Sequence, residues 1–321
     1  MKKVLICGAT GFIGRNTAEY LAAQGEYEVY GTYFKSIPYV NPSIRMVQAD
    51  LTDPRSVDRV VQGMDIIIQA AAVTSGAKDI LTKPHTHVTD NAVMNSYIFR
   101  SAYEHKVKHV FFFSCAIFYQ SSSVPIKEAD FDANQEIIPA YFGAGWTKLY
   151  NEKMCEFYSR IGVTQYTVIR HSNIYGPYDK YDLNKSHVFG ATMTKVMMAQ
   201  ENGEITVWGT GDEGRDFLYV SDLVNFIDMA LQRQKSKFEL VNVGYGSVLT
   251  VKDLVKKLVE ASGKRTLTIT YDTSKPTIKM TVCLDISKTK NIFGWSPTTT
   301  IDQGIQKTMS WYKNYSQASV V

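Results

Sequence analysis

The sequence predicts an α/β fold, a doubly wound parallel sheet followed by a smaller α/β part that packs on it. Three observations carry this. The chain opens with an apolar run, Val4 to Cys7, that meets Gly8, Gly11 and Gly14 and then a helical stretch from Arg15 to Gln24. Strand-like and helix-like stretches then alternate at the spacing that parallel sheets require. Beyond Gly209 the segments shorten, and no second glycine pattern of this kind appears.

The glycines have physical reasons at these places. A tight turn, a close backbone approach to a diphosphate and close helix–sheet packing each exclude a side chain. The following helix offers unpaired N–H groups and the positive end of its dipole to phosphate. A strand before and a helix after turn a weak pattern into a dinucleotide site. An isolated pattern of this kind can also be a plain turn.

Length and composition set bounds. At 321 residues the chain can bury a full core. A formal charge of +4 is too small and too dispersed for nucleic acid, though it suits small anions. Cys7, Cys115, Cys155 and Cys283 show neither metal-ligand spacing nor a disulfide framework. A reducing, cytoplasmic setting is the expectation. The N-terminal apolar run is broken by glycines too early for a signal peptide. No stretch approaches the roughly 20 apolar residues that span a bilayer. No metal site and no membrane association are expected.

In order, Tyr27–Tyr33 reads as a second strand. A cofactor ribose with a free 2′-hydroxyl commonly meets an acid at such a strand end. Thr32 stands there instead, with Lys35 beyond it and Arg15 inside the glycine turn. A 2′-phosphate is tolerated and attracted by that set, which points to NADP(H); the plainer alternative is two solvated cations. Met46–Leu51 is a third strand, ending in Asp50 and Leu51 beside the adenine. Asp65–Ala72 is a fourth, whose small residues Ala70, Ala71 and Ala72 permit close approach. A helix from about Asp90 to His105 carries Asn91 and Asn95, and Val110–Ser114 is a fifth, apolar strand.

Residues 143–161 read as a helix with Leu149, Met154, Phe157 and Tyr158 near one face. Gln165–Arg170 is a strand, 179–185 a polar loop, and His187–Gln200 a helix. Short elements follow at 216–220, 222–231, 240–243 and 251–262, then a polar tail from about Asn314. Residues 1–175 are expected to form the dinucleotide-binding domain, with segments such as 216–240 returning to it. Residues 176–321 would mainly form a substrate domain closing a cleft at the carboxyl ends of the strands.

The whole chain resembles the extended short-chain dehydrogenase/reductase family, the NAD-dependent epimerase/dehydratases. The residues that carry this are Gly8-Ala-Thr-Gly-Phe-Ile-Gly14, Asp50-Leu51, Ala70-Ala-Ala72, Asn173-Ile-Tyr-Gly-Pro177, Trp208-Gly-Thr-Gly211, Arg215 to Asp222 and Asn242-Val-Gly244. Within it the likeness is to the GDP-L-fucose synthase branch, through Tyr175-Gly-Pro177, Ser186-His-Val188, Ser274-Lys-Pro276, Leu284-Asp285 and Gly294-Trp295. The resemblance implies a Rossmann-type fold, a homodimer, and NADPH-dependent reduction of a nucleotide-linked 4-keto-6-deoxy sugar. GDP is the favoured nucleotide, and epimerisation beside the ketone can precede the reduction.

It also implies site residues. The cofactor falls to Gly8, Thr10, Gly11, Phe12, Ile13, Gly14, Arg15, Lys35, Asp50, Leu51, Ala70, Ala71, Ala72, Lys148, His171, Asn173 and Ile174. The substrate falls to Asn173, His187, Val188, Lys195, Trp208, Arg215 and Lys275. His187 is the implied epimerisation residue; Lys195 and Arg215 are the implied diphosphate or nucleotide contacts. Each of these cations is otherwise an ordinary solvated residue.

Two departures stand out. The family's Tyr-x-x-x-Lys aligns Lys148 as the lysine and puts Ala144 where the tyrosine donates its proton. Tyr141 is three residues earlier and would need rearrangement to substitute. A natural non-reductase, a catalytic knockout and an unusual donor all explain this, and the intact Gly145-Trp-Thr-Lys148 context points to the knockout. The relay hydroxyl is Ser114 in one register and is replaced by Cys115 in the other. The cysteine that epimerising relatives use then becomes Ala116 or Ile117, with Cys115 either a substitute or an inert thiol. An epimerase or dehydratase with tightly held NAD(P), or a non-catalytic NADP-binding relative, are the competing functions.

Overall fold

The structure, a computed structural model, describes residues 1–74, 77–183, 185–275 and 277–318. Its framework is a seven-stranded, wholly parallel sheet. The strands are β1 (Lys2–Cys7), β2 (Tyr27–Tyr33), β3 (Ile44–Gln48), β4 (Ile66–Gln69), β5 (His109–Phe113), β6 (Gln165–His171) and, much later, β11 (Phe238–Val243). Their spatial order is β11-β6-β5-β4-β1-β2-β3. The direction of winding reverses between β1 and β4, so the crevice outside their carboxyl ends is where a ligand enters.

Alternation along the strands explains the two-sided core. Val4, Ile6, Ile66 and Ile68 face α1 (Phe12–Gln24), α7 (Val220–Arg233) and Trp295. Leu5, Cys7 and Ile67 face the other way, with α2 (Pro54–Val61), α4 (Thr89–Glu104) and α5 (Phe142–Ile161). A six-residue helix, α3 (Ala77–Thr82), precedes α4. Sequence pattern missed α2, which is short and charged. It forms because Asp53 caps it, accepting from the N–H groups of Arg55 and Ser56, with Pro54 at the first position.

After β7 (Asn173–Tyr175) the chain builds a third cluster, beyond the two on the sheet faces, around Phe189, Met193, Leu254 and Leu258. It uses α6 (Val188–Met198), the parallel pair β8 (Glu204–Trp208) and β13 (Thr268–Asp272), α8 (Val251–Ser262) and α10 (Ile301–Ala318). Two small ladders join this part to the rest: β10 (Phe217–Tyr219) beside β7, and β9 (Gly214–Arg215) beside β12 (Leu249–Thr250). A further helix, α9 (Ser287–Phe293), brings Phe293 and Trp295 back under the large sheet. A fourth cluster packs Phe118, Tyr119 and Ile137 on Ile278, Met280, Val282 and Leu284.

Two expectations need correction. The stretch from Asn314 is not a tail, because α10 continues to Ala318. On α5 the buried residues include Leu149, Glu152, Cys155 and Ser159, while Phe157 is 48 % exposed. That helix turns a charged residue inward, for a reason given below, and so rotates Phe157 out. Asn184, in the expected polar loop, and Pro276, within the quoted resemblance, lie outside the described residues. Among the described residues no helix is long and apolar enough to cross a membrane, and all four cysteines are free thiols.

Candidate dinucleotide and substrate cleft

The glycine turn closes the amino end of the crevice. Gly8 has φ +75°, and a Cβ there would stand 2.7 Å from Ala71 Cα. A Cβ on Gly14 would collide with the Gly8 carbonyl oxygen. Gly11 donates to that carbonyl at 2.9 Å and opens α1 with no side-chain cap, leaving first-turn N–H groups for a ligand. Thr10, Phe12 and Ile13 line this turn and are partly exposed. A cradle from which Cβ atoms are excluded fits a dinucleotide diphosphate, the group the sequence pattern implies.

The adenosine side differs in part from expectation. Thr32 does not stand at the ribose rim, because its hydroxyl accepts from Gly8 N at 2.9 Å and the residue is buried. The exposed residues past β2 are Phe34 and Lys35, and Lys35 is close enough to Asp50 to help lower that carboxyl's pKa. The larger causes there are the hydrogen bonds from Thr52 Oγ1 and N. Leu51 is buried. Arg15 is not joined to Lys35; it bonds Glu19 and lies over the rings of Tyr39 and Tyr178.

On the β4 side, Ala70 and Ala71 are partly buried and Ala72 is exposed. Asn91 Oδ1 accepts from Val73 N at 2.8 Å and its Nδ2 donates to Val73 O at 3.0 Å, and Asn95 accepts from Gln69 Nε2 at 2.8 Å. These asparagines fix the loop that follows β4.

The chemistry-bearing groups meet beyond β5 and β6. A single 3₁₀ turn, Pro139–Tyr141, leads into α5, where Ala144 is partly exposed and Lys148 stands one turn on. Lys148 Nζ donates to Phe113 O at 2.6 Å. Burial lowers its pKa, against the opposing pull of Cys115 and Glu152. The Cys115 thiol is raised by burial, with Lys148 acting the other way. Ser114 has no accessible surface and gives its proton to Glu152 Oε1 at 2.5 Å. Cys115 thus lies close enough to Lys148 for each to shift the other, while the Ser114 hydroxyl is engaged by Glu152. Ala116 packs against the fourth cluster with Cys115 and Tyr141.

His171, at the end of β6, holds the Ser172 carbonyl through Nδ1 at 2.7 Å and is pushed down to about 4 by burial, with Lys148 and His187 adding to the fall. His187 stands at the N-cap of α6 with its side chain unused as a cap. Its ring keeps solvent-accessible surface, yet the protein around it lowers its pKa, helped by Lys180 and His87. Both imidazoles are therefore neutral near pH 7, able to accept a proton. Val188 begins α6 beside it.

The remaining substrate candidates are spread. Asn173 is tied to Asp216 O, and Ile174 packs into the large core. Arg215 donates to the carbonyls of Gly214, Ile278 and Met280 and thereby fastens residues 278–280 to β9. Lys195 Nζ donates to Thr206 O at 2.6 Å and sits over Trp208, at 5.7 Å from the ring centre. Lys275 is exposed at the turn after β13. The structure does not gather Lys195, Trp208 and Lys275 with Lys148.

Sequence reasoning missed the residues that hold this frame. Glu152 and Arg170 form a buried pair, their side chains 5 % and 4 % exposed, with Arg170 also donating to Tyr119. An arginine directly after the apolar Val168-Ile169 of β6 was the available signal. Asp216 is wholly buried and accepts from the N–H groups of Tyr245, Gly246 and Leu284; Asp222 does the same for Thr298 and Thr299. Both carboxylates in the Arg215–Asp222 run thus hold loops.

Comparison with known proteins agrees with this geometry. Residues 4–244 match the NAD dependent epimerase/dehydratase family. The chain is 26 % identical over 317 residues to a GDP-L-colitose synthase of Yersinia pseudotuberculosis, covering 97 % of this chain and 98 % of that one. It is 29 % identical over 317 residues to GDP-L-fucose synthase 1 of Arabidopsis thaliana, covering 97 % and 93 %. In fold it is similar to a UDP-glucose 4-epimerase of Thermotoga maritima solved with UDP-glucose, with TM-score 0.85, 23 % identity and coverage of 98 % and 99 %. The glycine cradle at the winding reversal and the family match over most of the chain lead to one conclusion: this protein belongs to the NAD dependent epimerase/dehydratase family of nucleotide-sugar epimerases and reductases.

Proposed function

We propose that the chain binds NADP(H) and a nucleotide-linked 4-keto-6-deoxy sugar, GDP-linked by preference, and is built as a reductase with an epimerisation base. The observation that carries this is the meeting of Lys148, Cys115, His171 and His187 beyond the strand ends, in a chain that matches GDP-sugar synthases over nearly their whole length. When bound, the reduced nicotinamide supplies hydride to the sugar ketone. Lys148, fixed by Phe113 O, orients the nicotinamide ribose and favours ionisation of an acid beside it. Cys115 stays a protonated thiol and offers a weak hydrogen bond to the sugar. His187, neutral, takes a proton from the carbon next to the ketone.

Ala144 leaves the family's acid position without a proton. Tyr141 is within electrostatic reach of Cys115 and Arg215, but burial raises its pKa and it lies in the turn before the helix. The chain is therefore read as competent to bind and slow to reduce. The test is Ala144→Tyr, assayed with GDP-4-keto-6-deoxymannose and related 4-keto sugars by NADPH absorbance. The variant should raise kcat by about 10²-fold or more. Equal rates in the two forms would place the acid elsewhere, with Tyr141 the first candidate.

The family likeness also implies a homodimer. Phe142, Trp146, Tyr150, Phe157 and Ile161 give α5 an exposed apolar stripe that supports a second copy of this chain as partner.

A further inference from the structure

Arg15 stands in the first turn of α1, between the glycine turn and the loop that follows β2. Its guanidinium carbon is 4.2 Å from the ring centre of Tyr39 and 3.8 Å from that of Tyr178. Nε donates to Glu19 Oε1 at 2.8 Å. Among the described residues none accepts from either terminal nitrogen, and the side chain remains 27 % exposed. Two rings fix its position, a carboxylate closes one edge, and the other edge presents a fork of N–H donors.

Both rings are held there against a cost. Tyr178 has φ +68°, and only one other non-glycine residue, Lys106, has a positive φ among those described. Left-handed backbone is unfavourable for a side chain of this size. The Tyr39 hydroxyl is buried without a hydrogen-bond partner, which leaves a desolvated polar group uncompensated. Two unrelated costs converge on one guanidinium. Tyr39 belongs to the loop after β2, where dinucleotide folds distinguish a ribose 2′-hydroxyl from a 2′-phosphate. Tyr178 belongs to the loop leading to His187, which Asn16 pins by donating to Pro177 O at 2.9 Å.

We propose that Tyr39 and Tyr178 are positioning residues that hold the Arg15 fork for the 2′-phosphate of the cofactor. Discrimination between NADPH and NADH then depends on the substrate-side loop as well as on Lys35. Glu19 offsets much of the arginine's bare charge, so the gain lies in the planar two-pronged geometry that a phosphate accepts and a lysine cannot copy. The inference rests on the NADP(H) reading above.

The experiment measures Kd for NADPH and for NADH by fluorescence titration in the unaltered chain and in Tyr178→Ala, Tyr178→Phe, Arg15→Lys and Arg15→Ala. Tyr178→Ala should weaken NADPH by about 10-fold while NADH stays within about twofold, and Tyr178→Phe should keep the preference. Arg15→Lys should lose nearly as much as Arg15→Ala. No preference in the unaltered chain overturns the NADP(H) reading itself. A preference that survives Tyr178→Ala, or parallel weakening of both cofactors, overturns the clamp and leaves that reading standing. If Tyr178→Ala does not fold, a preference retained by Arg15→Lys overturns the proposal equally.

Discussion

The Ser114 hydroxyl donates a hydrogen bond to Glu152 beside the two-pronged bond that Glu152 makes with Arg170, at 2.7 and 3.0 Å. This links the end of β5 to α5 and β6. Glu152 is four residues after Lys148, so both side chains share one face of α5. Seating the carboxylate on Arg170 sets the rotation of the helix, which delivers Lys148 to Phe113 O at the strand end. The buried pair is thus what aims the lysine into the cleft, and it is also what turns Phe157 outward.

Breaking one partner of such a pair leaves a buried charge uncompensated. Glu152→Gln should therefore cost about 3–5 kcal/mol of stability, read as a lowered urea midpoint. Ser114→Ala should cost about 1–2 kcal/mol and leave NADPH affinity unchanged within about twofold. A large fall in cofactor or substrate affinity with Ser114→Ala, at unchanged stability, would return the serine to the site.

Much of this architecture was readable in the residues. Strand β2 and helix α8 match their expected spans, because alternation and helical spacing are local properties. The glycine turn was legible because Gly8 and Gly14 are forced by backbone contacts that no other residue tolerates. The failures are of another kind. Thr32 was placed at the ribose because of its position on the strand, yet its hydroxyl serves Gly8 N across a turn. Ser114 against Cys115 could not be decided along the chain, since a one-residue shift changes which face a side chain takes and the partner, Glu152, is 38 positions away. The clamp on Arg15 joins residues 39 and 178, a pairing that no local pattern contains.

The outward stripe on α5 has its own consequence. Phe142, Trp146, Tyr150, Phe157 and Ile161 recur at spacings of four and seven, so they line one side of the helix. They are 56, 38, 45, 48 and 49 % exposed. Sedimentation of the unaltered chain should show a dimer, and Trp146→Asp with Phe157→Asp should shift it to monomer without loss of helix content. A monomer at micromolar concentration before any change would remove this interface.

His109 predicts how stability responds to acid. It is 5 % exposed, bonded to Thr167 Oγ1 at 2.7 Å, and burial pushes it down to about 3, with Lys2 adding to the fall. The unfolded chain takes up a proton on this histidine near pH 6.5, while the folded chain does not until about pH 3. The stability from the neutral ring is therefore complete above pH 6.5 and is lost as pH falls from there toward 3. The slope is about 1.4 kcal/mol per pH unit. His109→Gln, which can still bond Thr167, should remove that part of the slope in urea midpoints compared at pH 7 and pH 5. An unchanged slope would mean that the ring protonates in the folded state.

His187 carries the most specific chemical expectation. It occupies the N-cap position of α6, a place where a side chain ordinarily accepts from the helix N–H groups, yet it makes no such bond. Desolvation by the surrounding protein, with Lys180 and His87 adding to it, lowers its pKa and keeps it neutral near pH 7. A neutral imidazole at that edge suits removal of a proton from a carbon activated by an adjacent ketone. Among the described residues it makes no hydrogen bond to the glycine turn, so cofactor affinity should not depend on it. In the Ala144→Tyr background, deuterium uptake from solvent into a GDP-linked 4-keto-6-deoxy sugar should fall by about 10²-fold on His187→Ala, with NADPH affinity unchanged within about twofold. Uptake should also decline below the pH at which the imidazole protonates, which burial, Lys180 and His87 place under its ordinary value. Undiminished exchange in His187→Ala would take the histidine out of the mechanism. Absence of exchange before the histidine is changed would make this chain a reductase alone.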